Sequence, residues 1–338
     1  MTDRPRVISD SRMWQSRTWS QLVDSVYRFE AGRSFVNWRP LIALRLLLQR
    51  HRYSAVMTTG NQTSLYYGLL CRLLLLDSRQ VVTQLYLDER RGLLRWLHDP
   101  LMRWVLAAAR GVIVPSRGEV ESVVERFGVP RNRIRFVPFH TNLTAPIDLG
   151  CGEGYLFAGG RNFRDYDTLV EAASDLDAEL VIVCGADHLR DRPLPPNVRV
   201  YRDVAWSEYI ALLHGACGVV VPLSSATVPA GQVAILEGMG YGKPVVTTRS
   251  VGTADYVRPE VDGLVYALGD VDELRVQLRR LVEDRNLRTR LGHAAFEAAT
   301  TWFTFERHVA NKLRALADLG GFEAAPSCSS GRMEADAM

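Results

Sequence analysis

The sequence has 338 residues, of which 47% are hydrophobic and 23% charged. This length and composition suffice for two α/β domains with separate cores and exclude an intrinsically disordered chain. No uncharged apolar stretch reaches the roughly 18 to 20 residues needed to span a bilayer, and the N-terminus lacks the apolar segment of a signal peptide, which predicts a cytoplasmic protein. The five cysteines are scattered, without Cys-x-x-Cys spacing, which argues against a disulfide framework or a structural metal.

Charge is distributed unevenly along the chain. Residues 1–150 carry 22 arginines against 12 acidic residues, whereas residues 151–338 carry 19 basic and 26 acidic residues. This asymmetry predicts that the first half faces an anionic partner, such as a lipid surface or an acidic acceptor. Nucleic acid is not an expected partner.

The N-terminal segment begins with a weak predicted strand at residues 7–9, and residues 11–38 show no clear pattern. Residues 39–52 alternate leucine and isoleucine with basic side chains, which predicts an amphipathic helix. Two interpretations remain open for it. It is either a surface helix that covers the sheet or an interfacial anchor whose arginines reach anionic headgroups.

A polar loop is predicted at residues 59–64, after a strand at 53–58 and before a helix that runs through Leu76. Ligands of α/β proteins bind at the carboxyl ends of parallel strands, so Asn61 and Gln62 are candidate acceptor-side residues. An N-capping role explains the same residues equally well.

The next predicted strand, residues 80–85, leads to Asp88. Asp88 could orient an acceptor hydroxyl, and an exposed ion pair with a neighbouring arginine is the alternative. Residues 139–153 are rich in turn signals and form the predicted linker. The resulting prediction is a first domain at 1–145, a second domain at 146–301, a helix at 302–319 and a disordered tail at 320–338.

The second domain opens with a strand, a Gly159-Gly160 turn and a basic loop that contains Arg161 and Arg164. Two arginines directly after a glycine pair, at the end of a predicted strand, favour a phosphate ligand over ordinary loop arginines. Gly160 would allow the phosphate to approach the backbone.

The stretch around which the chain is organised is a predicted βαβ unit at residues 219–246, with its helix starting near Ala230-Gly231. The free N–H groups at such a helix start bind phosphate or diphosphate. The predicted donors belong to Ala230, Gly231, Gln232 and Val233. Glu237 lies seven residues beyond Ala230, about 10 Å further along the same face, where its carboxylate could accept hydrogen bonds from a ribose diol.

These residues also carry a family resemblance. The segments that carry it are Leu236-Glu237-Gly238-Met239, Gly242-Lys243-Pro244-Val245-Val246, Gly252-Thr253-Ala254-Asp255-Tyr256-Val257 and Asp262-Gly263-Leu264-Val265. Their order resembles the donor-binding domain of GT-B glycosyltransferases, and more narrowly the retaining enzymes of family 4. The resemblance implies an α/β GT-B fold, in which two Rossmann-like domains face each other across a cleft and a C-terminal helix crosses back to the first domain.

The resemblance also implies roles for single residues. Family 4 enzymes usually have two glutamates eight positions apart; Glu237 matches the second, which holds the ribose, whereas Pro229 occupies the position of the first. The family has an arginine and a lysine as diphosphate ligands. Arg161 matches the arginine, Arg164 takes the second place if the loop is two residues shorter, and both are the catalytic candidates. The turn at Val204 matches the segment that reads the nucleobase. The family's glycine-rich loop after the first strand, and its histidine near the end of the strand at 80–85, have no counterpart here.

The implied activity is that of a retaining, metal-independent glycosyltransferase of the hexosyltransferase type. The nucleotide diphosphate sugar is a substrate, no cofactor is expected, and the acceptor would be lipid-linked or anionic, in cell-envelope glycolipid synthesis or natural-product glycosylation. Peripheral attachment to the inner face of the plasma membrane fits the basic first half. Asp165-Tyr166-Asp167 has the Asp-x-Asp form of the metal motif of GT-A enzymes, but Asp167 is predicted to be a helix cap instead.

Two rival hypotheses remain open. The chain could be a non-catalytic GT-B-like partner subunit, as Pro229 and the two missing family features suggest. It could also be a nucleotide-sugar epimerase of GT-B fold, although the Ser-Gly-Gly and paired-glutamate signature of those enzymes does not occur in the donor loop.

Overall fold

The computed structural model describes residues 6–11, 13, 16–27, 38–85, 93–141 and 154–323. They form two compact units. The first unit comprises the described residues up to Pro138 together with those from Glu306 onward, and the second runs Phe139–Phe305. The predicted boundaries were at residues 145 and 301.

The first unit is built on a parallel sheet. The described strands are β1 (Val7–Ser9), β2 (Val23–Ser25), β3 (Ala55–Thr59), β4 (Gln80–Thr83), β5 (Gly111–Val114) and β6 (Ile134–Phe136), in the order β2-β1-β3-β4-β5-β6. The helices are α1 (Arg17–Leu22), α2 (Arg39–Gln49), α3 (Gly60–Leu73), α4 (Leu93–Ala107) and α5 (Gly118–Phe127). Strands β3, β4 and β5 are buried along most of their length, because helices cover both faces of a parallel sheet.

The second unit repeats this architecture. Its strands are β7 (Leu156–Gly159), β8 (Leu180–Cys184), β9 (Val198–Arg202), β10 (Gly218–Val221), β11 (Val245–Thr248) and β12 (Gly263–Tyr266). Its helices are α6 (Tyr166–Ala173), α7 (Trp206–Gly215), α8 (Gln232–Gly240), α9 (Val271–Glu283) and α10 (Arg285–Thr301). The last helix, α11 (Phe305–Gly320), belongs from Glu306 onward to the first unit.

The strand order of the second sheet, β12-β11-β10-β7-β8-β9, positions its ligand site. The chain moves outward from β7 through β8 to β9 and then resumes on the other side of β7 with β10. The crevice at the carboxyl ends of β7 and β10 is therefore the topological switch point, where open α/β sheets bind ligands.

Several sequence predictions need correction. The predicted polar loop at 59–64 is the first turn of α3, because Gly60 adopts a left-handed φ of +72° that turns the strand directly into the helix. Helices α9 and α10 are separate, since the Asp284 carboxylate accepts a hydrogen bond from the Leu287 N–H and starts α10. The predicted tail lies outside the described residues from position 324 on.

None of the described helices combines the length and apolar composition that crossing a bilayer would require.

Candidate functional site

A pocket of about 450 Å³ opens at the carboxyl ends of the strands of the second unit. It is bounded by the ends of β7 and β8, the turn after β9, the start of α7 and the first turns of α8. The lining residues are Gly159, Gly160, Arg161, Arg164, Val183, Cys184, Asp203, Val204, Trp206, Tyr209, Val233, Ala234 and Glu237.

The glycine pair allows two side chains to lie directly on the backbone. A Cβ at Gly159 would come within 2.5 Å of the Tyr209 ring, and a Cβ at Gly160 within 2.5 Å of the Arg164 guanidinium. Gly160 also has a φ of +139°, which side chains rarely adopt. The Gly-Gly turn is thus required by the close approach of Tyr209 and Arg164.

Arg161 and Arg164 both line the pocket but occupy different positions in it. Arg161 is exposed and forms an ion pair with Asp203 at 3.1 Å. Arg164 is half-buried and donates through Nε to the Gly159 carbonyl and through Nη1 to the Asn162 carbonyl, at 3.2 and 2.9 Å. Burial lowers the pKa of its guanidinium, and the neighbouring Glu237 charge opposes that shift. Arg164 is therefore a fixed positive charge, whereas Arg161 lies at the rim.

Glu237 is the buried carboxylate of the pocket. It lies on the second turn of α8, is 7% exposed, and its Oε2 accepts a hydrogen bond from the Tyr209 hydroxyl at 3.2 Å. Burial raises the pKa of Glu237 to about 7, against the opposing effects of Tyr209 and Arg164. A carboxylate with one hydrogen bond retains free acceptor capacity for hydroxyl groups of a ligand.

Helix α8 begins at Gln232, next to the predicted start near Ala230-Gly231, and Gly231 is its N-cap, with a left-handed φ of +88°. The first helical hydrogen bond runs from the Ile235 N–H to the Gly231 carbonyl, which leaves the preceding amides of the helix without an intrahelical partner. Val233 lines the pocket together with Ala234, whereas Ala230, Gly231 and the buried Gln232 do not. Gly252 packs against the backbone just before α8, so closely that a Cβ at position 252 would lie 2.6 Å from the Ala230 nitrogen.

Two comparisons of the sequence with protein families decide the assignment. Residues 155–284 match the family described as "Glycosyl transferases group 1", and residues 5–140 match the "Glycosyl transferase 4-like domain". Together the two matches cover most of the chain and both units. The chain belongs to the family 4-like GT-B glycosyltransferases.

Relatives of this family share the fold at low sequence identity. The structure of HepE from Anabaena, solved in complex with UDP, superposes with a TM-score of 0.66 at 16% identity, over 82% of each chain. WaaG, a glycosyltransferase involved in lipopolysaccharide biosynthesis, superposes with a TM-score of 0.59 at 16% identity, over 88% of this chain and 86% of WaaG. These likenesses support the GT-B fold.

A curated relative is closer in sequence. The lipopolysaccharide core biosynthesis glycosyltransferase LpsE of Rhizobium meliloti (strain 1021) is 31% identical over 172 residues, which cover 49% of this chain and 48% of LpsE. The chain thus aligns with about half the length of this relative.

Of the expected donor-binding residues, the structure brings Gly160, Arg161, Arg164, Val204, Val233 and Glu237 into one pocket. The expected acceptor-side residues belong to the first unit. Asn61 is buried and Gln62 exposed in the first turn of α3, and Asp88 lies outside the described residues.

Sequence reasoning missed the aromatic part of the site. Trp206 and Tyr209 stack with ring centroids 5.2 Å apart, and Tyr209 also packs edge-on against Phe157. Trp206 is 59% exposed at the pocket rim. The sequence does contain a pattern that could have indicated these residues: two aromatic side chains three positions apart at a helix start, directly after the Val204 turn.

The Asp-x-Asp segment has a structural role. Asp165, not Asp167 as predicted, caps α6: its carboxylate accepts hydrogen bonds from the Thr168 N–H and hydroxyl, at 3.1 and 2.7 Å. Asp167 pairs with Arg192. Among the described residues no group of three or more His, Cys, Asp or Glu side chains is arranged to hold a metal ion.

Proposed function

We propose that this protein is a retaining, metal-independent glycosyltransferase that moves a sugar from a nucleoside diphosphate sugar to an acceptor hydroxyl. The observation that carries the proposal is the convergence, in one pocket of the second unit, of Arg161, Arg164, the amides at the start of α8 and the buried carboxylate of Glu237. These are the groups that a diphosphate and a ribose require.

The reaction separates charge along the bond that breaks. As the anomeric carbon becomes cationic, negative charge collects on the leaving diphosphate, and fixed positive charge aimed at that group lowers the barrier. Arg164 and Arg161 would supply this charge, together with the Val233 and Ala234 amides. In a retaining transfer the departing phosphate takes the acceptor proton on the same face, so no second carboxylate is required and no cofactor enters.

Nucleoside recognition would use the other side of the pocket. Glu237 would accept hydrogen bonds from both ribose hydroxyls, and the Val204 turn would contact the base. Trp206, exposed beside them, offers a ring on which a base can stack. HepE was crystallised with UDP and with UDP-glucose, which supports a uridine nucleotide as the first donor to test.

For the acceptor we propose a cell-envelope glycolipid. LpsE and LpsD, both lipopolysaccharide core biosynthesis glycosyltransferases, support this class of acceptor. Asn61, Gln62 and Asp88 of the first unit remain the candidate contacts for it.

The decisive experiment incubates the full chain with a panel of UDP-, GDP- and dTDP-sugars and lipopolysaccharide core acceptors, with and without EDTA. We expect transfer from one donor, an unchanged rate in EDTA, and a product whose anomeric configuration by NMR matches that of the donor. Loss of activity in EDTA would refute metal independence, and an inverted anomer would refute retention.

A second candidate is a non-catalytic GT-B-like partner subunit. Pro229 favours it, because this residue stands where the family has the glutamate that contacts the donor sugar. The two functions differ in a binding measurement: a transferase gains thermal stability with a nucleotide, whereas a partner subunit with a vestigial pocket shows neither stabilisation nor transfer with any donor.

A further inference from the structure

The first unit contains a pocket of its own, of about 250 Å³, where strand β6 and helix α11 meet the turn after β5. We call it the arginine pocket. The polar residues that line it, within the described part of the chain, are Arg117, Arg135, Asn311, Arg314 and Asp318, beside the ring of Phe136. All of them belong to the first unit, so this pocket is distinct from the one around Glu237 in the second unit.

Three separate segments bring arginines to this pocket. Arg117 lies in the turn between β5 and α5, and Arg135 lies on β6, which pairs in parallel with β5. The carboxyl ends of these two strands therefore lie at the same end of the sheet, where α/β proteins bind ligands. Arg314 comes from α11, on which Asn311 and Asp318 are three and four residues away and therefore on the same face.

Each of the three arginines is held by a neighbouring group. The Arg117 guanidinium lies 4.6 Å from the centre of the Phe136 ring. Arg135 donates through Nη1 to two backbone carbonyls, at 2.8 and 3.1 Å, and Arg314 donates through Nη1 to Asn311 Oδ1 at 3.3 Å. Because these contacts already restrict the side chains, little conformational entropy would be lost when they bind a ligand.

The charge of the arginine pocket is not balanced by its own lining. Three guanidinium groups face a single carboxylate, that of Asp318, whose Oδ2 lies 3.5 Å from Arg135 Nε. The two side chains of this ion pair are 53% and 36% exposed, so it stabilises the protein by at most about 1 kcal/mol. Three positive charges and one negative charge leave a net charge of +2, and the convergence of like charges is unfavourable unless an anion joins them.

We propose that the arginine pocket binds a phosphomonoester. Such a group carries about −1.5 to −2 charges near pH 7, which matches the charge of the lining, whereas a carboxylate would compensate only half of it. Its three terminal oxygens accept hydrogen bonds from guanidinium groups, which arginine presents in a planar, bidentate geometry. The pocket is smaller than those that hold drug-sized ligands, so the phosphate would carry one small group, such as a sugar ring.

Two sources would supply this group. One is a phosphate on the acceptor, and this source rests on the glycosyltransferase activity proposed above. The other is a free phosphorylated metabolite that binds as an effector. The chemistry at the arginine pocket is the same for both, and the two differ in whether removal of phosphate from the acceptor changes its KM.

The first experiment is titration calorimetry of glucose 6-phosphate into the full chain carrying R161A/R164A, which removes both arginines from the pocket of the second unit. We expect saturable binding that inorganic phosphate displaces and that glucose does not show. Adding R117Q/R314Q should weaken the affinity by about tenfold or more. The control R52Q/R103Q removes the same charge from exposed positions of the first unit outside the pocket and should retain the affinity.

A further variant tests the charge with the opposite sign. Asp318→Asn removes the carboxylate of the arginine pocket and should tighten glucose 6-phosphate binding by about twofold to fivefold. The proposal is overturned if no saturable binding occurs, or if R117Q/R314Q changes the affinity by less than twofold. It is also overturned if R52Q/R103Q weakens binding as much as R117Q/R314Q does, or if Asp318→Asn weakens it.

The two sources are distinguished by transfer assays on the chain with Arg161 and Arg164 intact, with acceptor before and after phosphatase treatment. A phosphate on the acceptor predicts that R117Q/R314Q raises the KM for the untreated acceptor by about tenfold, and that for the treated acceptor much less. A free metabolite predicts equal KM values for both acceptors and a rate that glucose 6-phosphate changes only while the arginine pocket is intact. A chain that binds glucose 6-phosphate as described but transfers no sugar would refute the proposed activity and still support the phosphate site.

Discussion

The hydroxyl of Tyr209 donates a hydrogen bond to Glu237 Oε2 at 3.2 Å. Tyr209 lies on α7 and Glu237 on α8, so the contact links two helices across the floor of the pocket. The contact leaves the second carboxylate oxygen of Glu237 available for a ligand. The carboxylate is buried, and burial raises the pKa of Glu237 to about 7. Nucleotide binding and folding stability should therefore both depend on the protonation of this one residue.

The first prediction concerns the affinity for UDP. A ribose diol donates hydrogen bonds best to the ionised carboxylate, so UDP affinity should fall as the pH drops through about 7. Glu237→Gln should weaken binding by about tenfold to a hundredfold above pH 7 and remove the component of the pH profile that Glu237 contributes. Titration calorimetry on both proteins measures this, because the titration of UDP itself is common to the two profiles. Equal affinity of variant and wild type above pH 7 would contradict the ribose role.

The second prediction concerns stability without ligand. The folded-state pKa of Glu237 lies above its unfolded value of 4.5, so the folded state binds more protons between these values and loses stability as the pH rises through that window. Glu237→Gln should therefore raise the free energy of unfolding by about 1 to 3 kcal/mol near pH 8 and by much less near pH 4. Thermal denaturation at the two pH values measures the difference. An equal increase in stability at both pH values would mean that the ionisation of Glu237 is not its cause.

The third prediction concerns Arg164. Its guanidinium is held by two backbone carbonyls and faces the pocket, so Arg164→Ala should lower kcat by roughly two to three orders of magnitude. Arg192→Ala, at a surface arginine that pairs with Asp167 outside the pocket, is the matched control and should retain activity. Steady-state kinetics with the donor that the panel of nucleotide sugars identifies decide the question, and a loss below threefold would remove Arg164 from the mechanism.

The fourth prediction concerns Gly160. Gly160→Ala would place a methyl group within 2.5 Å of the Arg164 guanidinium and should displace it, with a loss of activity comparable to that of Arg164→Ala. Gly269→Ala is the control, because Gly269 also has a positive φ, +72°, but faces open space. Both variants should lose about 1 kcal/mol of stability from backbone strain, and only the first should lose activity. Similar activities in the two variants would show that the close approach of the Arg164 guanidinium to Gly160 is unimportant for catalysis.

The fifth prediction concerns two buried ionisable groups in the first unit. Asp10 Oδ1 accepts the Thr59 N–H at 2.8 Å, and the buried Lys312 Nζ approaches His308 Nε2 at 3.3 Å. Burial raises the pKa of Asp10 to about 6 and lowers that of Lys312 to about 8. The folded state thus loses the Lys312 proton more readily than the unfolded state, and this contribution to stability rises with pH from about 8 to 10.5.

Lys312→Met should therefore stabilise the protein by about 1 to 3 kcal/mol near pH 7, because it removes the cost of a buried ammonium. Lys312→Arg keeps the charge and should not stabilise. Chemical denaturation of the three proteins provides the measurement. Destabilisation by Lys312→Met would mean that the attraction to Asp10 outweighs the cost of burying the ammonium.

Much of the second unit was predictable from residues close together in the chain. The βαβ pattern at 219–246, the Gly159-Gly160 turn and the position of Glu237 on α8 all depend on local periodicity and on glycine, which act over a few residues. The start of α8 next to the predicted Ala230-Gly231 also depends on glycine, because its N-cap, Gly231, has a left-handed φ of +88°.

The sequence by itself determined two α/β units, a helix start that follows a glycine after a buried strand, and a carboxylate further along the same face of that helix, because strand and helix periods and glycine positions encode these directly. The tertiary structure alone decided that Tyr209 contacts Glu237 and that Arg161 pairs with Asp203. Each of these two contacts joins residues that are far apart in the chain. Their proximity follows from strand order and helix packing, which no local pattern specifies.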